Sequence, residues 1–142
     1  MATETTATPG RLTFLRVTVA LQTVALAFQA VTAGMLLSST LGAALHDVGS
    51  RVMYGASMLH VLAAVLAWRP GGGSPRPALY ASGFLVLASV QVLSGIAHVP
   101  SLHVPLGVLM FTLSTLALVV TGRETTDERG PKRTGRSRPG AR

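Results

Sequence analysis

The chain alternates long apolar runs with short polar breaks. Residues 1–10 are polar and Thr-rich, without apolar period, and predict a disordered N-terminus. Apolar residues then dominate four stretches, at about 12–37, 51–68, 78–97 and 102–121, the second with a possible helical start near His46. Each approaches the ~20 apolar residues that a membrane-spanning helix needs. The breaks carry turn chemistry. Arg69 to Pro77 holds three Gly and three Pro. His98 to His103 contains Pro100, which cannot continue a helix and predicts a tight turn. Beyond Gly122 a tail of Arg, Gly, Pro and Thr has too few apolar residues to bury a core. The pattern predicts a disordered segment at 1–10, a four-span bundle at 11–122 and a basic disordered cytoplasmic tail at 123–142. Short loops between successive spans make it an all-α integral membrane four-helix bundle of up-down-up-down topology.

Composition sharpens that picture. Only 12% of the 142 residues are charged, against about 25% in a soluble domain. Between Val17 and Thr121 the only charges are Asp47, Arg51, Arg69 and Arg76. A single soluble domain is thereby excluded. The absence of cysteine removes disulfides, thiolate metal sites, iron–sulfur clusters and covalent haem attachment. The single Lys against eleven Arg, with abundant Ala, Gly, Val and Pro, reads as a high-GC bacterial gene.

The net charge of +7 lies mostly in the tail, so it reads as a topology signal and not as a nucleic-acid surface. With both termini cytoplasmic in the plasma membrane, eleven basic residues lie inside and only Arg51 outside. One processing alternative has the small-residue pattern Val31-Thr32-Ala33 as a signal-peptide cleavage site, which would leave three spans.

The chain also resembles itself. The stretch from His46 matches the stretch from His103: Ser50 with Gly107, Met53 with Met110, Tyr54 with Phe111, Ser57 with Ser114 and Leu59 with Leu116. Upstream, the segment from Gln29 to Gly34 echoes the segment from Gln91 to Gly95, with one residue fewer. Gln-to-Gly falls late in each odd-numbered span, and His opens each even-numbered one. This predicts a two-hairpin pseudo-repeat with a site at the repeat interface.

The repeated positions share a helix face. From each His, the small residue, the Met and the Ser follow at four, seven and eleven residues, within one inward stripe. A His in a membrane span is costly unless it faces the protein interior with a partner. Two His on opposed helices can ligate one planar metal complex from both sides. Ser50 and Gly107 would leave room for a flat macrocycle, and Met and Leu would wall it. The expected cofactor is haem b, with His46 and His103 as metal ligands and Gln29, Gln91 and Gly107 contributing to its site. A zinc or copper ion would need three or four close ligands. The bland alternative is a pair of interfacial His satisfying helix ends.

His60, 14 residues after His46, lies about 21 Å deeper at about 1.5 Å per residue. Its counterpart on the fourth span is Ala117, so it is expected to hydrogen-bond inside the bundle, to Ser57 or a Gln. His98 is a lesser candidate, as a spare ligand or a propionate contact. Arg51 is expected to pair with Asp47, four residues earlier.

Gln29, Gly34, His46, Gln91, Gly95 and His103 together resemble one four-helix half of the haem A synthase family, over roughly residues 21–120. That family is built from two such halves, each presenting a His pair on its second and fourth helices near the outer membrane face. In its catalytic half a Glu precedes the second-helix His by three residues; here that place is Ala43. The resemblance therefore implies the half that holds a cofactor, and a homodimer would rebuild the eight-helix arrangement.

The functions these readings imply are electron transfer or haem handling by a small haem-binding membrane protein. The alternative is a cofactor-free accessory or structural subunit of a larger membrane complex. An enzyme is disfavoured because the predicted spans carry no carboxylate for acid–base chemistry. A proton- or sodium-coupled transporter is disfavoured for the same reason.

Overall fold

The computed structural model describes residues 9–70 and 72–127. These form four helices, α1 Pro9–Met35, α2 Thr40–Trp68, α3 Arg76–Ile96 and α4 Pro100–Asp127. All four are long and apolar enough to cross a membrane. α1 packs on α2 and α4, and α3 packs on the same two helices, so α2 and α4 face each other across a diagonal. The all-helical, multi-pass bundle expected from the apolar pattern is the architecture of the protein.

The boundaries differ from the sequence expectation where caps decide them. α2 starts at Thr40, well before Arg51 and His46, because Ser39 caps it: its Oγ accepts the Gly42 N–H at 3.1 Å. Gly42 also lets the hairpin close, since a Cβ there would collide with the backbone of Met35. Asp47 consequently lies on α2, but it points outward and pairs with Arg51 at 2.9 Å, as expected of the i, i+4 spacing.

The second hairpin is tighter than the expected turn from His98 to His103. Pro100 is the first residue of α4, where its missing N–H costs nothing. α3 ends through Ala97, with the His98 N–H on the Gly95 carbonyl and the Val99 N–H on the Ser94 carbonyl. That is a Schellman closure, and it puts His98 at φ 54°, a left-handed position usually given to Gly.

Two expectations fall largely outside the described residues. Of the expected disordered segment 1–10, only Pro9 and Gly10 are described, and they open α1. Of the tail 123–142, residues 123–127 are described and prolong α4 past Gly122.

Small side chains set the helix spacing. Ala64, Ala78 and Ala81 bring α2 against α3, flanked by Val61, Val65 and Trp68. At mid-depth a second cluster joins all four helices: Ala25, Leu26, Met53, Phe84, Ala88, Leu106 and Met110. Met53 and Met110, paired in the sequence repeat, are both buried there, while their repeat neighbours Leu59 and Leu116 face outward. The exposed large side chains are otherwise mostly Leu, Val, Ile and Phe, with Met58 and Tyr80, which lipid can cover.

That apolar layer separates two polar ones. Toward the hairpin turns lie Gln29, Thr32, His46, Gln91, Ser94 and His103. Toward the termini lie Thr18, Gln22, Thr23, Ser57, His60 and Ser114. In the second layer Gln22 Nε2 donates to Ser114 Oγ at 3.2 Å, and Thr23 Oγ1 is 2.7 Å from the same hydroxyl.

Candidate functional site

The two repeated histidines meet across the diagonal of the bundle. The rings of His46 on α2 and His103 on α4 have centroids 6.2 Å apart, with planes inclined at 66°. Both are partly buried. The repeat reading, which put these two side chains on facing inward stripes, thus brings together the residues it singled out.

The hydroxyls beside them fix their protonation. Thr32 Oγ1 donates its own proton back to α1, to the carbonyls of Phe28 and Gln29 at 3.0 and 3.2 Å. With its proton so placed, it accepts from His46 Nδ1–H, 3.1 Å away. In the second hairpin Ser94 Oγ donates to the Gln91 carbonyl at 2.9 Å. His103 Nδ1 then donates to that same carbonyl at 3.0 Å, with Ser94 Oγ at 3.3 Å as a second acceptor. Thr32 and Ser94 each stand three residues after the repeated Gln, so the two hydrogen bonds are equivalent by the pseudo-repeat.

In that arrangement both rings are the Nδ1–H tautomer, with the Nε2 lone pair left over. Among the described residues neither Nε2 makes a hydrogen bond. An imidazole whose other ring nitrogen is anchored on a hydroxyl or carbonyl is arranged as metal-ligating histidines are.

The glutamines frame the pair. Gln29 Nε2 donates to the His46 carbonyl at 3.0 Å. Its amide lies over Gly49, where a Cβ would stand 2.5 Å from Nε2. Gln91 is placed likewise over Gly107, whose Cβ would stand 3.0 Å from Gln91 Nε2. The small residue under Gln29 is therefore Gly49; Ser50 is only partly buried, and its hydroxyl donates to the Asp47 carbonyl at 2.7 Å. Gly95 gives the His103 ring its seat, with Cε1 3.1 Å from where a Cβ would be. Gln91 Oε1 is buried without a hydrogen-bond partner.

Two other histidines stand apart. His60 is buried, but its partner is neither Ser57 nor a Gln. Ser57 Oγ is turned back to the Met53 carbonyl, and His60 Nδ1 instead meets Thr18 Oγ1 of α1 at 2.9 Å. The antiparallel register of α1 and α2 explains this: Thr18 lies 14 residues before Thr32 as His60 lies 14 after His46. His98 is exposed in the turn between α3 and α4.

Sequence reasoning passed over Thr32, Ser94, Gly49 and Thr18. The first two were visible as hydroxyl residues at one offset from each repeated Gln. Gly49 and Thr18 needed the helix register. Among the described residues no group of three or more His, Cys, Asp or Glu is placed to hold a metal ion. Compared with family models, curated proteins and solved structures, the chain matches none of them.

Proposed function

We propose that His46 and His103 would hold one haem b through their imidazoles, in a small membrane protein that transfers electrons or handles haem. The observation carrying this reading is the facing pair: two imidazoles 6.2 Å apart, each held through Nδ1 and neither with a hydrogen bond at Nε2 among the described residues. A metal about 2 Å from one nitrogen of each ring would set the centroids about 6 Å apart. Two imidazoles are too few for a bare ion, and a porphyrin supplies the four remaining nitrogens itself. The donor set fits haem for that reason.

When bound, haem supplies a one-electron couple. The chain's own residues hold and tune it. Thr32, Ser94 and the Gln91 carbonyl orient the rings and raise their basicity. Met53, Met110 and Leu106 close the apolar side toward mid-bilayer. The chain's distribution of basic residues supports a plasma-membrane orientation with both termini cytoplasmic and the His pair near the outer face. The lipid bilayer is its immediate partner. A homodimer or a larger membrane complex would supply electron partners.

The test is the absorption spectrum of the purified full chain, expressed with ample haem. A Soret band near 400 nm with a low-spin, six-coordinate ferric form supports the reading. A colourless protein returns His46 and His103 to hydrogen-bonding residues of a cofactor-free accessory subunit, in which Thr32, Ser94 and the Gln91 carbonyl serve only helix packing.

A further inference from the structure

The polar layer on the termini side leaves one buried amide end unpaired. Gln22 is 2% exposed and spends Nε2 on Ser114 Oγ, 3.2 Å away. Its Oε1 is sealed and has no hydrogen-bond partner among the described residues. Exchanging the amide oxygen and nitrogen does not cure this. Ser114 would then meet the oxygen, and the NH2 group would stand unpaired in the same place. Among membrane-spanning helices such an end is costly, because lipid offers it no hydrogen bond.

The two repeat-related serines of this layer are used unequally. Ser57 and Ser114 lie eleven residues after His46 and His103, and both are 1% exposed. Each follows its Met by four residues, and Met53 and Met110 share one cluster, so the serines stand at one depth on opposite helices. Ser114 is tied to α1 twice, by Gln22 and by Thr23 Oγ1 at 2.7 Å. The hydrogen bonds of Ser57 stay on its own helix, to the Met53 carbonyl at 3.0 Å and Met53 Sδ at 3.7 Å. Yet α1 packs against α2 as well as against α4.

We propose that one water molecule is held between the free end of the Gln22 amide and Ser57 Oγ. Three features select water over other guests. The amide end is sealed, so the guest is small. It must satisfy whichever end of the amide faces it. Water both donates and accepts, whereas a cation suits only the oxygen and an anion only the NH2 group. It must also join polar groups that lack a direct link, as buried waters do with two to four hydrogen bonds. Thr18 and His60, 2.9 Å apart, are the next polar pair, one helical turn nearer the termini. The water ties α1 to α2 where Gln22 and Thr23 tie α1 to α4, so the layer becomes one hydrogen-bonded unit across both hairpins. Nothing in this site depends on a cofactor at His46 and His103.

The full-length protein, labelled with ¹³C and ¹⁵N and held in phosphatidylcholine liposomes, tests this. Magic-angle-spinning spectra record how fast magnetisation passes from water to each carbon. Gln22 Cδ and Ser57 Cβ should be fed at least fivefold faster than Ala25 Cβ and Met53 Cε in the apolar layer. Ser57→Val puts methyl groups where the water sits and leaves Ser114 untouched; it should slow transfer to Gln22 Cδ at least fivefold. Ser57→Ala, the milder change, removes one partner and should slow it at least twofold, and it decides alone if the valine variant does not fold. The proposal is overturned if Gln22 Cδ in the wild type is fed no faster than Ala25 Cβ. It is equally overturned if the folded Ser57 variants leave transfer to Gln22 Cδ unchanged. The readout is a carbon of Gln22, so it stands whatever the visible spectrum of the protein.

Discussion

Thr32 Oγ1 accepts the Nδ1–H of His46 at 3.1 Å, across the α1–α2 hairpin. Ser94 stands in the same place beside His103 across the α3–α4 hairpin, at 3.3 Å, with the Gln91 carbonyl at 3.0 Å. The Gln29 backbone is the corresponding partner of the His46 ring, so the two halves of the repeat anchor their imidazoles alike. Thr32→Val and Ser94→Ala each remove the hydroxyl and leave the backbone partner, and each should weaken haem binding by about 10-fold, the low end of the usual effect of losing a ligand's hydrogen-bond partner. Haem titration followed by Soret absorbance checks both, and a loss in only one of the two variants would contradict the equivalence of the anchors.

Glycine positions give a test of packing that needs no cofactor. A Cβ at Gly49 would stand 2.5 Å from Gln29 Nε2 and 2.8 Å from the Phe28 ring, whereas at Gly83 it would meet nothing within 4 Å. Gly49→Ala should destabilise the bundle by about 1–3 kcal/mol, as overpacking does. Gly83→Ala should be neutral or stabilising by up to about 1 kcal/mol, through helix propensity. Unfolding in detergent, followed by circular dichroism, separates the two.

His98 pays for its left-handed backbone at φ 54°. His98→Gly keeps the Schellman closure and removes the Cβ conflict, so stability should rise by up to about 1 kcal/mol. The ring is exposed, so any visible spectrum should not change. Loss of haem in this variant would show that His98 is part of the site.

Orientation is open to a simple experiment. The α2–α3 loop, the start of α1 and the end of α4 lie at one end of the bundle, and eleven of the twelve basic residues belong to these segments or follow α4 in the sequence. Reporter fusions at Gly72 and at the C-terminus should both report cytoplasm. A periplasmic signal from either would reverse the proposed sidedness.

Much of this was legible from the chain. The four spans follow from apolar runs alone, because a lipid-exposed helix writes its length directly into the sequence. The approach of His46 to His103 followed from the repeat, since equivalent residues of two hairpins fall at one depth. Helix ends were less legible. They depend on single caps, such as Ser39, which extends α2 by nearly two turns beyond His46, and on Pro100, which opens α4 instead of merely breaking a turn. The hydrogen-bond partners were least legible. Thr18 reaches His60 only because α1 and α2 share a particular register, which hydropathy does not encode.

The central claim is that His46 and His103 together hold one haem, and the most direct measurement compares four ferric spectra. Wild type should be low-spin and six-coordinate, while His46→Ala and His103→Ala should each be five-coordinate or haem-free and should resemble one another. His60→Ala, on the far side of the Met53 and Met110 layer, should match the wild type and serves as the control. A wild type without a Soret band, or haem lost in His60→Ala but kept in His103→Ala, would contradict the account.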